Sequence, residues 1–168
     1  MAEAIYCRNG HFNGYMPDPN PSYDGEKVLY GWQVPRVEKT LARRAFCPIC
    51  GLENVFECQH CEAAIDSDEE QAPERPAYCS SCGKPFPWTE TALTAANEYT
   101  DQLEELSTED KTVLKATFND LTADTPRTEL AATRFKKLVR KIGPAAGDVL
   151  TKIIVNVATE AAKRGMSG

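Results

Sequence analysis

The chain has 168 residues, of which 42% are apolar and 26% are charged, and its formal net charge is -6. This length allows one ordinary domain or two small ones. No stretch approaches the roughly 20 apolar residues of a membrane span, and the N-terminus lacks the apolar run of a signal peptide. We therefore expect a cytoplasmic protein that is not an integral membrane protein, and the acidic balance disfavours peripheral membrane contact. The acidic balance also disfavours nonspecific binding to nucleic-acid phosphates.

Composition changes sharply near Trp88. All seven cysteines lie at or before Cys82, and nine of the eleven prolines precede Trp88. Residues 1–88 carry a net charge of -5 and residues 89–168 a net charge of -1. The sequence therefore predicts a loop-rich domain over 1–88, with short β-hairpins, and a helical domain over 89–168.

Three cysteine pairs share the C-x-x-C spacing: Cys47/Cys50, Cys58/Cys61 and Cys79/Cys82. A tight turn of this kind lets two sulfurs approach one ion at about 2.3 Å. Gly51 and Gly83 follow two of the pairs and can adopt the positive φ that closes the turn. Reduced cytoplasmic thiols in odd number indicate metal binding rather than disulfides. Paired turns of this type, called knuckles below, favour zinc over an iron–sulfur cluster.

Counting ligands predicts two structural zinc ions in a double zinc ribbon. One site would hold four thiolates and the other three thiolates and an imidazole. The eight predicted ligands are Cys7, His11, Cys47, Cys50, Cys58, Cys61, Cys79 and Cys82. His60 competes with His11 for the eighth place. We favour His11, because a side chain between the two cysteines of one knuckle should point outward.

The pairing of the knuckles stays open at this point. A nested arrangement joins Cys47/Cys50 to Cys58/Cys61 across a hairpin over 52–57. It leaves Cys7 and His11 with Cys79/Cys82. A crossed arrangement joins Cys47/Cys50 to Cys79/Cys82 instead. The short spacing between the first two pairs favours the nested arrangement.

The segment between His11 and Cys47 is rich in proline and aromatic residues. It predicts a strand over 27–34 and a short helix over 37–45. Its aromatic side chains are expected either to cover the small zinc core or to form a partner-binding surface.

The second half shows helical periodicity in four stretches. The first spans about 90–106 with Thr89 as its cap, and the second is capped by Ser107. The third starts near Asp124-Thr125-Pro126, and the fourth spans about 145–163. These stretches predict an all-α bundle of about four helices. The wide apolar stripe of the last helix is expected to pack on the bundle or to form a homo-oligomer.

The third helix is strongly basic. Its cations are Arg127, Arg134, Lys136, Lys137, Arg140 and Lys141. Such a run usually forms a helix face that is exposed to solvent. Alternatively, this face binds an acidic partner, a nucleic acid or an anionic membrane surface.

Several blocks together resemble a family of small bacterial zinc-ribbon proteins of unknown function. They are YC-x-NGH from Tyr6, FCPICG from Phe46, the pair at Cys58, YCSSCGKPFPW from Tyr78 and DTPRTELAATRFKKL from Asp124. The resemblance implies a bacterial origin and a zinc ribbon followed by helices. It implies no reaction.

No catalytic set is evident in the sequence. A glycine-rich phosphate loop is absent, and with His11 bound to zinc His60 is the one histidine left for catalysis. We therefore expect a non-enzymatic zinc-binding adaptor or regulator, which binds a protein partner through its ribbon and uses its helices for docking or self-association. One alternative is a nucleic-acid-associated regulator that uses the basic third helix. Another is a hydrolase with a single three-ligand zinc.

Overall fold

The computed structural model describes residues 2–15, 45–67 and 75–167. The chain forms two compact units, Met1–Pro87 and Trp88–Gly168, which we call the cysteine-rich unit and the helical unit. The predicted fold class is confirmed, since short antiparallel strands with cysteine-rich turns precede an all-helical part. The predicted strand over 27–34 lies outside the described residues, as does the predicted helix over 37–45 except for its last residue.

The strand β1 (Ala2–Cys7) organises the cysteine-rich unit. Among the residues that the structure describes, three strands pair with it in antiparallel fashion: β2 (Phe12–Tyr15), β3 (Asn54–Val55) and β4 (Asp66–Ser67). The middle of β1, residues 4–6, is buried. A strand with a buried apolar centre and partners on both edges is the natural axis of a small sheet.

The hairpin predicted over 52–57 is wrong. Within that stretch Asn54–Val55 pairs with β1, so that Cys7 lies opposite Asn54 and Tyr6 opposite Val55. The Arg8 N–H extends this ladder by donating to the Glu53 carbonyl at 3.0 Å. Because the partner strand comes from the far N-terminus, local sequence signals around 52–57 could not reveal it.

The described residues of the helical unit form five helices rather than about four. They are α1 (Pro87–Asp101), α2 (Thr108–Thr122), α3 (Thr128–Ile142), α4 (Pro144–Val155) and α5 (Glu160–Ser167). The predicted Ser107 cap is confirmed, since its hydroxyl accepts from the Asp110 N–H at 3.1 Å. Within the described ranges, every helix is too short or too polar to cross a bilayer.

The predicted fourth helix is interrupted because Thr159 is bonded outside it. The Thr159 N–H donates to the Leu121 carbonyl of α2 at 3.0 Å. Its hydroxyl accepts from the Ala162 N–H at 3.2 Å, as a helix N-cap does. A hydrogen bond to a remote helix therefore ends α4 and starts α5.

One apolar core joins the helices of this unit. Phe118 and Phe135 meet edge-to-face at its centre, with ring centroids 6.5 Å apart. Of the apolar stripe predicted for the last helix, Leu150, Ile154 and Ala158 belong to the same buried cluster, while Val149 is 43% exposed. Most of the stripe thus packs inside its own unit, which was one of the two alternatives for it.

Candidate metal centre

The three C-x-x-C knuckles have the same backbone turn geometry. In each, the residue after the second cysteine donates its N–H to the carbonyl of the first cysteine. These bonds run from Gly51 to Cys47 at 2.8 Å, from Glu62 to Cys58 at 2.8 Å and from Gly83 to Cys79 at 2.9 Å. In each, the first cysteine also donates its N–H to a carbonyl five residues later, at 2.7 to 2.8 Å. The shared spacing therefore encodes a shared geometry.

The residue that closes each knuckle has a positive φ. The angles are 72° at Gly51, 69° at Gly83 and 59° at Glu62. Sequence reasoning assigned this role to the two glycines and missed Glu62, whose position after Cys61 was the available signal. A residue with a Cβ is strained in this left-handed region.

A fourth turn, from Cys7 to His11, connects β1 to β2. Gly10, with φ 77°, donates its N–H to the Cys7 carbonyl at 2.6 Å. The His11 N–H donates to Cys7 Sγ at 3.3 Å. The Arg75 guanidinium donates to the Asn9 carbonyl at 2.9 Å, and the Arg75 side chain fills the space that a Cβ at Gly10 would occupy. Gly10 is therefore required both for the turn and for this contact.

The eight predicted ligands converge in two groups. The mixed cluster is Cys7, His11, Cys47 and Cys50, and the four-cysteine cluster is Cys58, Cys61, Cys79 and Cys82. Within each cluster the ligand atoms all lie within 4.8 Å of one another. This pairing follows chain order and corrects both the nested and the crossed arrangement.

The pairing of β1 with β3 explains this order. It sets Cys7 beside the first knuckle, which immediately precedes β3. The Asn13 side-chain amide of β2 donates to the Asn54 side-chain oxygen at 2.6 Å, which holds the Cys7–His11 turn against the same strand. The second knuckle is then left to face the third.

His11, rather than His60, lies among the sulfurs. Its Nδ1 atom is 3.5 Å from Cys7 Sγ and 3.7 Å from Cys47 Sγ. His60 is exposed, and its Nε2 atom lies 3.4 Å from the side-chain nitrogen of Gln59.

The distances between ligand atoms fit tetrahedral coordination. Four sulfurs at about 2.3 Å from a central zinc lie about 3.8 Å apart, and a sulfur and an imidazole nitrogen lie about 3.5 Å apart. The Cys7–Cys50 sulfurs are 3.6 Å apart, while the Cys58–Cys82 and Cys61–Cys79 sulfurs are 3.7 Å apart. A disulfide would bring two sulfurs to about 2.05 Å, and all seven cysteines are free.

Backbone amides favour the thiolate form of the first cysteine in two knuckles. Burial raises the pKa of Cys47, but the N–H groups of Ile49 and Cys50, with Asn13 and His11, lower it to about 6 overall. At Cys79 the N–H groups of Cys82 and Ser81 outweigh burial and lower the pKa to about 7. These turns therefore present sulfur in the form that binds metal.

Cys61, the second cysteine of the second knuckle, has a raised pKa instead. The Ala63 N–H lowers the pKa of Cys61, but the neighbouring sulfurs of Cys82, Cys79 and Cys58 act against it, and the pKa rises to about 12. Thiolates this close repel one another, so the cluster ionises fully only around a cation. The donor set therefore fits a thiophilic metal ion.

Together the two four-donor clusters and the helices that follow define a cysteine-knuckle protein with an all-α C-terminal part. The chain belongs to a family of uncharacterized proteins conserved in bacteria, DUF2321, whose profile matches residues 29–166. This match confirms the family resemblance seen in the sequence. It includes six of the eight candidate ligands and begins after Cys7 and His11. Searches of curated proteins and of solved structures returned no match.

Glu62 has a left-handed backbone conformation, with φ 59°, that costs the cysteine-rich unit stability. Replacing Glu62 with glycine should stabilise the metal-loaded cysteine-rich unit by about 0.5–1 kcal/mol, because relief of the left-handed strain exceeds the added flexibility of the unfolded chain. The reverse change at the equivalent position, Gly83→Glu, should destabilise it by about 1 kcal/mol. Zinc release to a chromophoric chelator, followed against urea concentration, measures both. If the wild type and E62G release zinc at the same urea midpoint, the backbone at Glu62 is not strained.

Proposed function

We propose that this chain is a non-enzymatic, cytoplasmic zinc-binding adaptor or regulatory protein. Two structural zinc ions, one in each cluster, hold the cysteine-rich unit in shape, and that unit presents a surface to a protein partner. The observation that carries the proposal is the presence of two complete sets of four donors at tetrahedral spacing.

Zinc is the metal that the donors favour. A set of four thiolates, or of three thiolates and one imidazole, is characteristic of structural zinc sites. A catalytic zinc keeps one position open for water or substrate, whereas each cluster here supplies four protein ligands. The donor count thus supports a structural role and counts against the single-zinc hydrolase alternative.

The distribution of apolar residues also supports a structural role. The extended buried core of the described residues belongs to the helical unit. Among the described residues of the cysteine-rich unit, four of the nine buried apolar side chains are cysteines, namely Cys7, Cys47, Cys58 and Cys79. Structural zinc binding contributes about 10–16 kcal/mol in small domains, which is enough to supplement so small a buried cluster.

The first knuckle carries the candidate partner surface. Phe46, Ile49 and Leu52 are 62%, 70% and 40% exposed, and we call them the knuckle patch. The backbone beneath them is fixed, because the Cys47 N–H donates to the Leu52 carbonyl at 2.7 Å and Phe46 forms a β-bridge with Glu53. Exposed apolar residues on a rigid support are typical of protein–protein contact sites.

Metal content tests the first part of the proposal. Native mass spectrometry of the chain purified with zinc should show two zinc ions per chain. Cys79→Ser should leave one, because it removes a ligand from the four-cysteine cluster alone, and His60→Ala should leave two. A single ion in the wild type, or an iron–sulfur chromophore, would contradict the proposal.

The knuckle patch is tested by partner capture. The double variant F46S/I49S should lose the protein partner that the wild-type chain retains in affinity purification from the native bacterium, while it still carries two zinc ions. Val149→Ser removes an apolar side chain that is 43% exposed on the helical unit and serves as the matched control. If F46S/I49S retains every partner that the wild type retains, the patch is not the binding surface.

A further inference from the structure

The helical unit carries two groups of charged side chains of opposite sign. The basic face of α3 is Arg134, Lys137 and Arg140, and the acidic turn between α1 and α2 with the start of α2 is Glu104, Glu105 and Glu109. All six side chains are exposed. None of them takes part in an ion pair within the part of the chain that the structure describes.

These two features lie next to each other on one surface. Lys141 Nζ is 2.6 Å from Asp110 Oδ2, which joins the end of α3 to the start of α2. Lys141 lies one helical turn after Lys137 and two turns after Arg134, on the same face of α3, and Asp110 lies in the first turn of α2 with Glu109. The C-terminal end of the basic face therefore lies beside the start of α2.

The acidic turn is held in place by bonds to the end of α1. Lys115 Nζ lies 2.6 Å from Asp101 Oδ1, and Lys111 Nζ donates to the Asp101 carbonyl at 2.9 Å. Leu103 and Leu106, on either side of Glu104 and Glu105, are buried. The carboxylates are thus presented from an anchored segment.

Local helix stability accounts for only part of this arrangement. Cations in the last turn of a helix and anions in its first turn interact well with the helix dipole, which explains Arg140 and Lys141 in α3 and Glu109 in α2. Arg134 and Lys137 lie before that turn, while Glu104 and Glu105 lie outside any helix.

We propose that a second copy of the chain covers this surface, as a two-fold symmetric dimer in which the basic face of each copy contacts the acidic turn of the other. A two-fold axis requires a surface that is complementary to itself, and adjacent patches of opposite charge meet that requirement. Leu130 is 48% exposed and lies one helical turn before Arg134, while Val113 is 44% exposed and lies one turn after Glu109. Both add apolar contact, since exposed charge pairs alone give little affinity.

Charge complementarity favours a second copy of the chain over a nucleic acid as the partner of this surface. Phosphates attracted to the basic face would meet the carboxylates of the acidic turn, and the chain as a whole has a net charge of -6. The dimer goes beyond the proposed adaptor function, because it depends neither on zinc nor on the knuckle patch.

Two charge-reversal variants test the dimer. R134E/K137E/R140E makes both patches negative, and E104K/E105K/E109K makes both positive. Sedimentation velocity at about 50 mM salt should show a dimer for the wild type, with self-association at least roughly 100-fold weaker in each variant. An equimolar mixture of the two variants should form a one-to-one dimer, because each then faces opposite charge. Salt at about 500 mM should weaken both dimers.

The control reverses exposed cations elsewhere on the unit, in K152E/R164E, and should leave the dimer intact. Circular dichroism of every variant establishes that the helices are retained. A monomeric wild type at low salt would overturn the proposal, as would two reversed variants that fail to associate with each other. A monomer whose basic face binds a nucleic-acid pool or an acidic protein would also overturn it and would reassign the surface.

Discussion

Repulsion between converging ligands is the constraint on which the cysteine-rich unit depends. Each cluster holds four donors within 4.8 Å of one another, and thiolates at that separation are stable together only around a cation. The repeated turns direct backbone N–H groups at the sulfurs. These N–H groups lower the pKa of Cys47 and of Cys79 and so favour their thiolate forms. Each cluster is therefore arranged so that its described turns could close around one metal ion.

The two units consequently rely on different forces. The helical unit buries a continuous apolar core in which Phe118 and Phe135 meet, and burial of apolar surface is the dominant favourable term in such folds. The cysteine-rich unit has a short sheet centred on β1 and the two clusters. Its fixed turns leave apolar side chains such as Ile49 exposed, because the hydrogen bonds of the knuckle rather than burial determine their position.

Local sequence patterns predicted much of this arrangement. Spacing and glycines identified the knuckles, since a C-x-x-C turn is specified by its own few residues, and the Ser107 cap was found for the same reason. The order in which the ligands pair could not be predicted, because it depends on Cys7 lying opposite Asn54, a contact across most of the unit. The break between α4 and α5 was missed likewise, since the Thr159 N–H bonds to Leu121 in another helix. In both cases a long-range backbone hydrogen bond determined the outcome.

Hydrogen exchange of the intact zinc-loaded chain, with and without a strong chelator, tests most directly whether metal ions replace a hydrophobic core in the N-terminal half. Metal removal should abolish the protection of amides in β1 and β3, such as those of Cys7 and Asn54, while the amides of α2 and α3 remain protected. If β1 and β3 keep their protection without metal, apolar packing alone maintains the cysteine-rich unit and the account fails.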